Sequence, residues 1–165
     1  MKKENFQFEF TRISSKDELN PIDQALMQQA LLASAEAYAP YSNFLVGAAA
    51  RLKSGMILTG SNQENASYPV GICAERVLLG IVATQQPKIP IETMAITYQS
   101  KNRESNVPVA PCGMCRQALL EFENRVNQPI RLLLGGVTGE ILIIESTRLL
   151  LPLAFESSFL KKTII

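Results

Sequence analysis

Every cysteine of this 165-residue chain lies in one of two short segments. One is Pro69-Val-Gly-Ile-Cys-Ala-Glu-Arg76 and the other is Ala110-Pro-Cys-Gly-Met-Cys-Arg-Gln117. Both segments precede apolar runs at helical spacing, so each sets its cysteines at the start of a helix. Helix N-termini carry unpaired N–H groups and a partial positive charge, which favour a thiolate over a thiol. A fold that brings the two helix starts together gathers Cys73, Cys112 and Cys115. The chain has no histidine and no fourth cysteine to close a four-coordinate structural site. Three thiolates with one position left for water describe a catalytic zinc centre rather than a structural one. A Cys-x-x-Cys redox pair is the alternative, but it has no use for Cys73 or for the glutamate two positions on.

That glutamate is Glu75. Beside a metal-activated water, a carboxylate can take a proton and deliver it elsewhere. In a chain without histidine it is the natural proton carrier. Taken alone, a first-turn glutamate only favours the helix dipole.

The remaining pattern is that of one layered α/β domain. Residues 6–13 alternate apolar and polar, as a strand or arm does. Asn20-Pro21 opens a helix that Pro40 is expected to stop. Two extended runs meet at Ser54-Gly55 as a β-hairpin. The order then continues as a helix from Ala74 to Thr84, a buried strand in IETMAITY, a helix from Gly113, and strands in IRLLLGG and EILIIES. This predicts a mixed sheet of about five strands covered by helices, with residues 1–18 as an N-terminal extension and 19–165 as a single domain.

Charge bounds the partners. Lysine and arginine number 16 against 15 acidic residues, with no basic run longer than Lys2-Lys3. A nucleic-acid backbone or a membrane surface is not the expected partner, and a small near-neutral ligand is. No apolar run approaches the length of a membrane span, and none of signal-peptide length follows Lys2-Lys3. The expectation is a cytoplasmic protein whose thiols stay reduced.

Cys-Ala-Glu followed by Pro-Cys-x-x-Cys resembles the cytidine deaminase superfamily in its three-cysteine form. The resemblance spans roughly Ile22 to Leu160. It includes YSNFLVGAA (Tyr41 to Ala49), GSNQENASYP (Gly60 to Pro69), ICAERVLLG, PCGMCRQALLEF and LLPLAF (Leu150 to Phe155), all in the family's order. It implies a three-layer deaminase fold, Zn²⁺ on Cys73, Cys112 and Cys115, and Glu75 as proton shuttle. It also implies that Asn62 and Glu64 hold the ribose hydroxyls, that Phe44 lines the base pocket, and that the backbone at Ala74 meets the ring's polar edge. Phe155 matches an aromatic that reaches a neighbouring subunit's pyrimidine. Arg76 matches an arginine that hydrogen-bonds the metal thiolates, and Arg116 is a second candidate for that role.

The implied reaction is hydrolytic deamination of cytidine and deoxycytidine, in pyrimidine salvage, by a homotetramer whose subunits complete each other's sites. Glu75 would move a proton from an activated water to N3 and then to the departing amine, while the water's oxygen adds at C4. A blasticidin-S-like deaminase shares the metal motif, but Asn62 to Asn65 argue against it. A non-catalytic zinc or oligomerisation module would be expected to lack Glu75. Two departures stand out: Glu156 to Leu160 replace the family's Gly-Pro-x-Asp-Leu, and Pro69 follows Tyr68 where glycine is frequent.

Overall fold

The computed structural model describes residues 1–160; the last five, which the expected 19–165 domain includes, lie outside the described residues. Nine elements of helix or strand follow one another: β1 (Thr11–Ile13), α1 (Pro21–Ser34), β2 (Phe44–Leu52), β3 (Ile57–Ser61), α2 (Ala74–Gln85), β4 (Ile91–Ser100), α3 (Gly113–Val126), β5 (Arg131–Gly135) and β6 (Ile141–Ile144). The strands form one six-stranded sheet in the order β1-β6-β5-β4-β2-β3. Five of the six are those expected. The sixth is β1, where Thr11, Arg12 and Ile13 pair antiparallel with Ile143, Leu142 and Ile141. Its sequence signal was only an alternation of apolar and polar residues, and its partner strand lies 130 residues away.

β2 and β3 form the expected hairpin, turning at Gly55 with φ +86°. β4 pairs antiparallel with β2 and parallel with β5. The parallel step requires a crossover, and α3 supplies it. α2 and α3 cover one face of the sheet. There Leu78, Leu79, Val82, Leu119 and Phe122 bury against Ala48, Ala50, Met94, Ile96 and Leu132. α1 covers the other face, with Leu26, Met27 and Ala30 on Ala49, Ala95 and Leu133. Burial on both sides explains why β4 and β5 read as unbroken apolar runs.

α1 begins where expected: Asn20 caps it, its side chain accepting from the Asp23 amide at 2.9 Å, and Pro21 takes the first turn. It ends six residues before Pro40, at Ser34. The chain leaves the helix because Tyr38 is captured by the segment after β3. The Tyr38 amide donates to the Asn62 carbonyl at 3.0 Å, and the Glu64 amide donates to the Tyr38 carbonyl at 2.8 Å. Those bonds fix the approach of 38–43 to the segment carrying Asn62 and Glu64.

Two glycines set how close the helices lie. A Cβ on Gly47 would stand 1.9 Å from the Ala30 carbonyl oxygen of α1. A Cβ on Gly60 would stand 2.8 Å from the Leu78 amide nitrogen and 3.0 Å from the Ala74 carbonyl oxygen, both backbone of α2. Gly60 therefore lets the first turn of α2 rest directly on β3. Gly60→Ala should destabilise the chain by about 1–3 kcal/mol, read from urea unfolding, because backbone cannot step aside as a side chain can. Unchanged stability would mean that α2 can lift off β3 freely.

Candidate active site

The two cysteine segments meet at the start of α2 and α3. Cys73 is the N-cap of α2 and Cys112 the N-cap of α3, with Cys115 in that helix's first turn. Neither N-cap thiol bonds the helix amides, which leaves both sulfurs free to point elsewhere. The Cys73 and Cys112 sulfurs are 3.8 Å apart and those of Cys112 and Cys115 are 3.5 Å apart. All three lie within 4.8 Å of one another. Ligands about 2.3 Å from a tetrahedral zinc stand about 3.8 Å from each other, so the spacing suits such an ion.

The charge state of the cluster points the same way. The neighbouring Cys115 thiol lowers the pKa of Cys73 to about 6; burial and Glu75 oppose this, while the Cys112 thiol and the charge of Arg76 support it. Beside Cys73, buried and close to Glu75, Cys115 has its own pKa pushed up. Three sulfurs this close cannot all be thiolates without a cation among them. The donor set therefore fits a soft divalent metal.

Glu75 follows in the first turn of α2, only 5% exposed. Burial raises the carboxyl's pKa, opposed by its own backbone amide and by the nearby Cys115 thiol. Such a group is poised to carry a proton rather than hold a fixed charge. Glu75, Cys73 and Cys112 line a cavity of about 480 Å³.

Phe44, Asn62 and Glu64 line the same cavity, and so do Ser42, Val46, Ile72, Ile96, Val109 and Ala110. Asn62 spans the edge of β2: its Nδ2 donates to the Phe44 carbonyl at 2.9 Å and its Oδ1 accepts from the Val46 amide at 2.7 Å. One N–H and one lone pair of the amide stay unused by these bonds. Glu64 Oε2 accepts from the Tyr41 amide at 2.9 Å and the Ser42 amide at 3.3 Å. Partial burial pushes this carboxyl up, but the Ser42 hydroxyl and those two amides outweigh it and hold it below its ordinary value.

Other candidates lie elsewhere. Ala74 is fully buried as the first residue of α2, outside the cavity lining. Its amide belongs to the first turn, whose donors have no intrahelical partner. Arg76 acts on the thiolates through its charge, and among the described residues it forms no hydrogen bond to them. Arg116 is a clamp: its Nε donates to the Pro111 carbonyl at 2.8 Å and its Nη1 to the Leu150 carbonyl at 3.1 Å. Phe155 is 59% exposed, stacks on Phe159 at 6.0 Å and does not line its own chain's cavity. The apolar walls Val46, Ile72, Ile96 and Val109 were not singled out from sequence, since an aliphatic residue in a strand or loop reads first as core. Ser42 carried a usable signal, lying two residues before Phe44 in the motif.

The comparisons with known proteins agree with this geometry. Residues 20–128 match the family described as the cytidine and deoxycytidylate deaminase zinc-binding region. The chain belongs to that family. A cytidine deaminase of Halalkalibacterium halodurans is 38% identical over 132 residues, covering 80% of this chain and 92% of that protein. The crystal structure of the Burkholderia pseudomallei cytidine deaminase matches with TM-score 0.69 and 36% identity, over 79% of this chain and 97% of that one. The cytidine deaminase of Mycobacterium tuberculosis matches with TM-score 0.63 and 31% identity, over 82% and 98%.

Because Glu64 is held below its ordinary value of 4.5 in the fold, its stabilisation is present above that pH and lost as pH falls through the folded value. Glu64→Gln should melt below the wild type at pH 7, and the gap should narrow as the pH falls below 4.5. A gap independent of pH would mean that charge plays no part.

Proposed function

We propose that this chain catalyses the zinc-dependent hydrolytic deamination of cytidine and deoxycytidine to uridine, deoxyuridine and ammonia. The observation that carries the reading is the buried Glu75 carboxylate at the three-thiol cluster, opening on a cavity that also holds Asn62 and Glu64. The names of the related proteins support the substrate class. Cys73, Cys112 and Cys115 would hold the zinc. When bound, the ion would supply an acidified water beside Glu75.

The chain's own residues account for the rest. Glu75 takes a proton from the attacking water and carries it to N3 of the pyrimidine, which makes C4 electrophilic. Once the water's oxygen has bonded to C4, Glu75 takes the second proton from that oxygen and gives it to the amine, which leaves as ammonia when the C4–N bond breaks. Burial suits both tasks, because a carboxyl whose pKa is raised accepts a proton more readily than an exposed one and can pass it on. Asn62 keeps one donor and one acceptor for a ribose hydroxyl, and Glu64, held ionised, accepts from another. Phe44 offers a flat apolar wall to the base. The first-turn amides at Ala74 face the polar edge of the ring in this reading. Arg76 moderates the negative charge that three thiolates leave around a divalent ion.

Residues 19–165 form the catalytic domain, with 1–18 as an extension that adds the edge strand. Phe155 lies outside its own chain's cavity and exposed, as a residue serving a neighbouring subunit would. The assembly that uses it is a homotetramer, and the enzyme works in the cytoplasm in pyrimidine salvage. No helix among the described residues is long and apolar enough to cross a membrane.

Loss of the cytosine absorbance tests the reaction, with zinc-loaded wild type run beside Glu75→Gln. Wild type should turn over cytidine and deoxycytidine. Glu75→Gln should lose about 10²–10⁴-fold in rate, the range of general acid–base catalysis, while keeping its zinc. Cys112→Ala should lose both metal and turnover. A folded, zinc-loaded wild type inactive on both nucleosides overturns this reading.

A further inference from the structure

The Phe44 ring is backed by a second aromatic. It lies on Tyr98, with centroids 4.6 Å apart and planes 18° apart. Tyr98 is on β4 opposite Val46, two residues beyond Ile96, so it faces the same side of the sheet as these two cavity residues. It is 0% exposed, and its hydroxyl finds no hydrogen-bond partner among the described residues. A buried hydroxyl left unpaired is a cost, so what Tyr98 contributes inside the chain is its ring.

A cation stands beside the pair. The Arg103 guanidinium carbon is 5.5 Å from the Phe44 centroid and 6.0 Å from that of Tyr98. The segment carrying Arg103 is tied to the lip of the cavity. The Lys101 amide donates to the Asn43 carbonyl at 3.1 Å, and Asn102 Nδ2 donates to the Ser42 carbonyl at 3.2 Å. The Ser100 amide closes the start of the loop on the Ser105 hydroxyl at 2.9 Å. Further along the same loop, Val109 and Ala110 line the cavity.

We propose that Tyr98 and Arg103 are positioning residues that hold the Phe44 ring as a fixed wall of the substrate cavity. The inference rests on the reading of that cavity as a nucleoside pocket. A half-buried phenylalanine facing an open cavity can turn about its side-chain torsions. Tyr98 fills the space it would turn into, and Arg103 closes the flank of the stack through a cation–π contact. A preset wall helps ground state and transition state alike, so its loss should fall on KM and on product affinity, not on kcat.

The test uses the full zinc-loaded protein and its Tyr98→Leu, Tyr98→Phe and Arg103→Ala variants. Steady-state kinetics on cytidine are paired with calorimetric binding of uridine. Tyr98→Leu should raise KM and weaken uridine binding by about fivefold, with kcat within about twofold of wild type. Tyr98→Phe keeps the stack and drops the unpaired hydroxyl, so it should restore both values and melt higher. Arg103 is exposed, so Arg103→Ala should keep its melting temperature while KM rises about twofold to fivefold. Should Tyr98→Leu not fold, Arg103→Ala decides. Wild-type KM and uridine affinity in Arg103→Ala and, where it folds, in Tyr98→Leu overturn the proposal, as does a fall in kcat and zinc content at constant KM. A wild-type protein that neither binds uridine nor consumes cytidine overturns the nucleoside reading itself.

Discussion

The site depends on two helices beginning at the same place. α2 and α3 come from different parts of the chain, and each starts with a cysteine where a serine, asparagine or aspartate would usually cap it. An oxygen there would satisfy an orphan amide and add about 1 kcal/mol to helix stability. The cysteines forgo that bond, and their sulfurs turn toward each other instead. The cost is met by burial, since Leu78, Val82, Leu119 and Phe122 fix both helices on one sheet face. Gly60 adds the last element, because a Cβ there would meet the backbone of α2, the helix that Cys73 caps.

The same convergence tunes the acid. Glu75 sits in the first turn of α2 and is shielded by the packing that holds the helix down. Its carboxyl would be a poor proton acceptor in water, where it stays ionised with a low affinity for protons. Buried, it is driven toward the neutral form and its pKa rises. Elsewhere in the cavity lining Glu64 shows the opposite treatment, with two amides and a hydroxyl favouring its ionised form. Two glutamates eleven positions apart thus have opposed proton affinities, set by one helix start and one turn. The difference separates a group that moves protons from one that only accepts hydrogen bonds.

Much of this was legible in the sequence. The three cysteines, Glu75 and the hairpin at Gly55 could be placed because each carries a local signal: a spacing, a cap or a turn. Phe44, Asn62 and Glu64 could be singled out only by the joint match of their motifs. The parts that escaped depend on contacts between distant segments. The early end of α1 at Ser34 follows from hydrogen bonds to Asn62 and Glu64, which no helical periodicity records. β1 forms because β6 offers it an edge. Arg116 was grouped with Arg76 as a partner of the metal thiolates, yet its guanidinium holds the Pro111 and Leu150 carbonyls and so ties the α3 start to the C-terminal segment. Tyr98 was hidden for a related reason, since one more aromatic in a buried strand looks like core.

That tie gives the C-terminal segment a place in the chemistry without contact with the cavity. Arg116 lies one residue beyond Cys115 and grips Leu150, while its neighbour Gln117 donates to the Phe155 carbonyl at 2.9 Å. The start of α3 therefore fixes both a metal-facing cysteine and the backbone from which Phe155 projects. A flat base gains most when both its faces are covered, and one chain supplies a single aromatic wall, Phe44. With Phe155 exposed beside Phe159 and outside that cavity, covering the second face would fall to another subunit in the proposed tetramer. One helix start would then register two sites at once, the metal of its own cavity and the aromatic lid of its neighbour's. In that tetramer any shift of α3 would be felt in both, which would tie catalysis to assembly through rigid packing alone.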